Sequence, residues 1–300
     1  MTHFSPSLFR LFHRFHIIGA LLALLAVVLP GCSAVKLGYS NAPEITYWWL
    51  DSYLDFNSAQ TTQVRADLNT LQAWHRQNEL PAYVTILGKL QRLAANNVTP
   101  AQLCEVYTDV MPRYQKLVYE LAPTIVAVAP TLQADQIDHL ARQLEKRSVK
   151  WREEWVDGTL DERNARRVKQ WVDRVELIYG RLDEPQLAVL RASVTASVFD
   201  AAITYNESQR RHQDALQTLR QLQPGMPGVA RAKTEVHDLL SRAMNAPDPA
   251  TRSYIEKIAQ ENCATLAKLH NSATPAQRLK VLETLKDYEA DARTLMATGR

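Results

Sequence analysis

Five times along the chain the same short pattern stands where a helix would begin. The segments are Phe56-Asn57-Ser58-Ala59-Gln60, Val98-Thr99-Pro100-Ala101-Gln102, Leu132-Gln133-Ala134-Asp135-Gln136, Leu182-Asp183-Glu184-Pro185-Gln186 and Ala273-Thr274-Pro275-Ala276-Gln277. In four of them Asn57, Thr99, Asp183 or Thr274 stands three residues before Gln60, Gln102, Gln186 or Gln277. That spacing is a capping box. The first side chain accepts the amide of the third helical residue, and the Gln side chain reaches back to the N-cap amide. Proline just after the cap loses no helical hydrogen bond and has its φ preset. The Gln133 version has a poor N-cap side chain and is the weakest. Successive Gln are 42, 34, 50 and 91 residues apart, too irregular for a solenoid repeat.

Between these starts the apolar residues recur every three or four positions. Val64, Leu68, Leu71 and His75 form one stripe, and Leu103, Tyr107, Val110, Tyr114, Leu117 and Leu121 a longer one. Ile137, Leu140, Leu144, Trp151 and Trp155 follow, then Val168, Val172, Val175, Tyr179 and Leu182. No clean alternation bounded by turn residues occurs, so no strand is expected. The composition, 46% hydrophobic and 22% charged, is that of a globular chain and excludes wholesale disorder or a polytopic membrane protein. The expected fold class is all-α, an elongated multi-helix bundle after an N-terminal lipoprotein signal peptide. Breaks are expected near Pro81, 96–100, 123–131, 157–158, 180–185, 247–249 and 273–275, with a kink at Pro112. The segment 223–228, Gln-Pro-Gly-Met-Pro-Gly, is the strongest linker signal and a possible sub-boundary.

The first residues read as an address. Arg10, His13, Arg14 and His16 form a basic region, and the apolar run Ile17 to Leu29 follows. That run suits a signal peptide and is shorter than the ~20 residues a membrane-spanning helix needs. It ends in Leu29-Pro30-Gly31-Cys32, which resembles a bacterial lipobox, with Pro30 departing from the usual residue at that place. The resemblance implies signal peptidase cleavage before Cys32 and a covalent lipid on Cys32, the only cofactor expected. Ser33 in place of Asp after the Cys favours transfer to the outer membrane, with the chain facing the periplasm. The expected layout is a signal peptide over 1–31, a lipid-anchored tether and aromatic segment over 32–56, and a helical domain over 57–300. Cleavage removes Arg10 and Arg14 and no acidic residue. A formal charge of +3, 35 basic against 32 acidic residues, becomes 33 − 32 = +1. That balance argues against a nucleic-acid partner.

Further motifs carry a family resemblance. Lys36-Leu37-Gly38-Tyr39-Ser40-Asn41, Trp48-Trp49-Leu50-Asp51, Ala73-Trp74-His75-Arg76, Glu79-Leu80-Pro81 and Tyr179-Gly180-Arg181-Leu182 occur in that order. The arrangement resembles an uncharacterised, domain-of-unknown-function family of proteobacterial lipoproteins with LTxxQ-like helix starts. More distantly, it resembles the Spy-like and CpxP-like periplasmic chaperones. These resemblances imply an all-helical fold and an envelope location, and they carry over no catalytic residue.

Candidate chemistry is sparse. His75, His139, His212, His237 and His270 show no i, i+4 ligand pair, so no metal is expected. Acidic pairs such as Glu153-Glu154 are adjacent and diverge around a helix, whereas a glycosidase dyad must converge. In an oxidising compartment Cys104 and Cys263 form either a disulfide or two buried thiols. Trp151 and Trp155, amid Arg142, Lys146, Arg147 and Lys150, form either a basic aromatic surface or a buried stripe flanked by solvated charges. Tyr47, Trp48, Trp49 and Tyr53 either touch a bilayer interface or cap the bundle end. The expectation is a non-catalytic envelope lipoprotein, binding proteins or unfolded clients through apolar grooves between helices. The alternatives are a scaffold for one envelope partner and, less favoured, a peptidoglycan-active enzyme.

Overall fold

A computed structural model describes residues 34–223 and 228–298. Cys32, the lipobox and most of the 223–228 segment lie outside the described residues. The chain divides into two compact units, 1–40 and 41–300. In the first, α1 spans Ala34–Ser40. The second begins with α2 (Ala42–Leu54), α3 (Ser58–Asn78), α4 (Leu80–Ala94), α5 (Pro100–Glu120) and α6 (Ala122–Val128). A 3-10 turn, Ala129–Thr131, leads into α7 (Ala134–Trp155), α8 (Leu160–Tyr179), α9 (Glu184–Thr195) and α10 (Ala201–Gln221). The last three are α11 (Val229–Met244), α12 (Pro249–Asn271) and α13 (Pro275–Ala297). The described residues contain helices and no strand.

The helix starts are where the capping pattern puts them. Asn57, Thr99, Asp183 and Thr274 each accept the amide three residues on, at 2.9–3.2 Å. Gln60, Gln102, Gln186 and Gln277 each return a carbonyl to the N-cap amide, at 2.8–3.0 Å. The Gln133 version shares its Gln136 amide with a neighbouring carboxylate. Gln136 accepts the Gln133 amide at 3.0 Å, and its own backbone amide also donates to the Asp135 carboxylate. Thr159 and Glu162 make a further box, with Glu in place of Gln. Its two hydrogen bonds from Thr159 hold the Glu162 carboxyl below the usual range.

Three apolar clusters form the core of the larger unit. Tyr47 from α2 joins Val64 and Leu68 from α3 and Ile137 from α7, with Leu216 and Leu219 of α10 against them. Residues 41–56, grouped with the tether on sequence grounds, therefore belong to the packed unit. Val236 and Leu240 of α11 pack with Ala129 and Leu222. Val175 and Tyr179 of α8, Leu190 of α9, Leu269 of α12 and Leu285 of α13 form the third cluster.

Two sequence expectations need correction. Patterning misses a break at 196–200, where Asp200 caps α10, while Pro112 lies inside α5 where the stripe puts it. On α5 the most buried apolar residue is Val106, while Tyr107 and Tyr114 are 40% and 50% exposed. The apolar band of α5 is wider than the surface its neighbours cover, so its outer edge stays in solvent.

Candidate functional site

The clearest hollow in the larger unit is a half-open groove of about 560 Å³. Its floor is α7, which presents Leu140, Leu144, Ser148 and Trp151 on one face, spaced three or four apart. One wall is α2, with Trp49, Leu50, Tyr53 and Leu54. The other is α10, with Thr204, Tyr205, Ser208 and His212. Leu50 and Leu54 of the α2 wall also pack against the buried cluster of Tyr47, Val64 and Ile137. Hollows of this size are typical of ligand sites.

Aromatic rings shape the groove. Trp151 stacks on Tyr205 with centroids 6.0 Å apart, and on Trp155 at 6.2 Å. Trp49 and Tyr53 meet at 5.1 Å on the opposite wall. Trp155 is buried, Trp151 is half-buried and Trp49 is 52% exposed. Of the two sequence alternatives for the Trp pair, the buried stripe describes Trp155, whereas Trp151 faces the hollow.

Polar atoms punctuate the apolar lining. The buried Ser148 hydroxyl lies 3.3 Å from both Gln209 Oε1 and His212 Nδ1, and Gln209 Nε2 donates to the Tyr205 hydroxyl at 2.7 Å. Burial first, and then the Arg147 charge, hold His212 below its ordinary pKa, so it is neutral at pH 7. The Arg147 guanidinium donates to the Tyr53 hydroxyl at 3.2 Å from the groove edge. No carboxylate lines the groove, so Arg147 is its one formal charge. The Ser148–His212 contact does not form a nucleophile. Ser148 is buried within α7, where the backbone amides are bonded along the helix and supply no oxyanion hole.

A second cavity, about 290 Å³, is lined by Leu90, Leu103, Val106, Leu266 and Leu285. The one polar pair in its wall is closed on itself. The Tyr179 hydroxyl and His270 Nδ1 are 2.8 Å apart, and His270 Nε2 donates to Asn96 O at 3.0 Å. Burial pushes the Tyr179 hydroxyl up to about 12 and His270 down.

The remaining sequence-selected residues are structural. Cys104 on α5 and Cys263 on α12 are disulfide-bonded, with Cα atoms 5.5 Å apart. Four of the capping glutamines meet in pairs. Gln60 and Gln136 exchange side-chain amide hydrogen bonds at 3.2 and 2.8 Å, and Gln186 and Gln277 at 2.7 and 2.9 Å. Each Nε2 also donates to the carbonyl two residues before its partner's N-cap: Thr131, Asp55, Ser272 and Arg181. Asp55 reaches that position with φ +48°, in the left-handed region that Asp tolerates better than most residues. Gln102 caps its helix and joins neither pair.

A family model, DUF6279, described only as a family of unknown function, matches residues 52–246. The chain belongs to this family. The DUF6279 match covers the floor and one wall of the groove and part of the other, along with three of the four paired glutamines. It stops short of Gln277 and Cys263. No curated protein and no solved structure gives a significant match. Among the described residues no helix is long and apolar enough to cross a membrane.

Proposed function

We propose that the protein is an outer-membrane lipoprotein facing the periplasm, held by a lipid on Cys32, that binds other proteins non-catalytically and chaperone-like. The observation that carries this reading is the aromatic groove between α2, α7 and α10. It is half-open, apolar over most of its lining and built on rigid helices. The Cys104–Cys263 bond supports an oxidising compartment, in keeping with the lipobox-like address. Several acyl chains on Cys32 would hold the protein far more firmly than one.

Two measurements test the reading. The protein suppresses aggregation of an unfolded client, and Ser208→Trp, which fills the groove mouth, reduces that protection. No protection at several-fold molar excess would sink the binding claim. Labelled palmitate enters the wild type and not Cys32→Ala; equal labelling would overturn the anchor. The exposed Tyr107 and Tyr114 on one side of α5 favour a second reading, a scaffold for one folded partner. Crosslinking in cells separates the two. A smear of adducts marks a chaperone and one discrete adduct a scaffold.

A further inference from the structure

The groove's lining narrows what it can hold, given that it is a protein-binding site as proposed above. From Leu140 to Trp151 the α7 floor runs 11 residues, about 16 Å along a helix. An extended peptide advances about 3.3 Å per residue, so roughly five residues fit. Polar atoms recur along that length: the Tyr53 hydroxyl, Ser208 Oγ, Tyr205 Oη and the His212 ring. Three of them already have one protein partner, from Arg147, Gln209 and Ser148, but both tyrosine hydroxyls keep a proton to donate. An acyl chain would cover that remaining capacity and the Ser208 hydroxyl without matching either, whereas a peptide backbone supplies carbonyls and amides to them. The aromatic and leucine surfaces between them suit alternate apolar side chains.

Charge selects further. Arg147 is the one formal charge at the lining, and its side chain donates to a neutral hydroxyl, that of Tyr53. Among the described residues it makes no ion pair, unlike Arg210 and Arg242 on the neighbouring helices, which share Asp214. A guanidinium presents a fork that matches a carboxylate.

We propose that the groove binds a short extended peptide segment in which an acidic residue stands between bulky apolar side chains, its carboxylate paired with Arg147.

The test uses the full-length chain in zwitterionic lipid nanodiscs, which avoid detergent in the groove. Fluorescein-labelled Leu-Phe-Asp-Leu-Phe amide and its Lys counterpart are titrated by anisotropy. The expected result is saturable binding with the Asp peptide about tenfold tighter. Arg147→Gln, at an exposed position, removes that preference and leaves the melting temperature unchanged. Ser208→Trp abolishes binding of both peptides. Equal affinities, or an unchanged preference in Arg147→Gln, would overturn the acidic specificity while leaving the groove as a protein-binding site. Saturable binding of neither peptide would overturn the groove reading as well. Displacement of the Asp peptide by dodecanoate at lower concentration than by unlabelled peptide would reassign the groove to anionic amphiphiles and overturn the proposal.

Discussion

At the scale of single residues, the buried glutamines each satisfy several groups at once. Gln186 is 1% exposed and holds its own helix cap, the Gln277 amide and the Ser272 carbonyl at once. Truncating it to Ala strands those partners away from water, and a buried unsatisfied group costs about 1–3 kcal/mol. Gln186→Ala should therefore lower the urea midpoint measurably, while Gln102→Ala, which joins no pair, should cost only about 1 kcal/mol as a lost cap. Equal losses would count against the pairing. Histidines supply a pH response. Burial holds His75, His212 and His270 below their ordinary pKa. The unfolded chain takes up protons near pH 6.5 that the folded chain resists. Stability is thus full above that pH and declines as pH falls below it. Urea midpoints at pH 7.5 and 5.5 check this; an equal or higher midpoint at 5.5 would contradict it. Some residue-level features were legible from sequence and others were not. The caps follow from local spacing. The role of Gln as a cross-link between caps 76 or 91 positions apart depends on tertiary contact.

Helices were the most readable level, because a cap and a 3.6-residue period are both written within one segment. Every capping-box Gln begins a helix, and all the helix breaks among 157–158, 180–185, 247–249 and 273–275 are present. The buried face of α5 is not legible in the sequence, because period alone gives an apolar band and not how much of it a neighbour covers. The groove was hidden for a related reason. Its aromatic pairs, Trp49 with Tyr53 and Trp151 with Trp155, were visible as separate clusters. Their meeting across α7, and the addition of Tyr205, needed the packing of three segments 50 or more residues apart. At this scale Cys104–Cys263 ties α5 to α12. In the chain-entropy account, a loop of this length, 159 residues, stabilises by about 5 kcal/mol. Treatment with dithiothreitol should lower the melting temperature of the wild type. The double variant Cys104→Ala/Cys263→Ala should melt lower than the oxidised wild type and show no response to the reductant. An unaltered wild-type melt with both thiols shown free by mass would refute this contribution.

Across the larger unit, the two glutamine pairs set what counts as a foldable piece. One joins the starts of α3 and α7; the other joins the starts of α9 and α13. The family match ends at residue 246, inside the span that the second pair and the disulfide bridge. A fragment cut to 52–246 would divide α2, leave Cys104 and Gln186 without their partners, and expose Leu190 by removing Leu269 and Leu285. Circular dichroism of that fragment should show loss of cooperative unfolding relative to the intact chain. A cooperative melt matching the full protein would refute this. The stretch by which relatives are recognised is thus shorter than the stretch that must be inherited together. A recombination or truncation that respects the recognisable segment alone would break the protein at its own cross-ties.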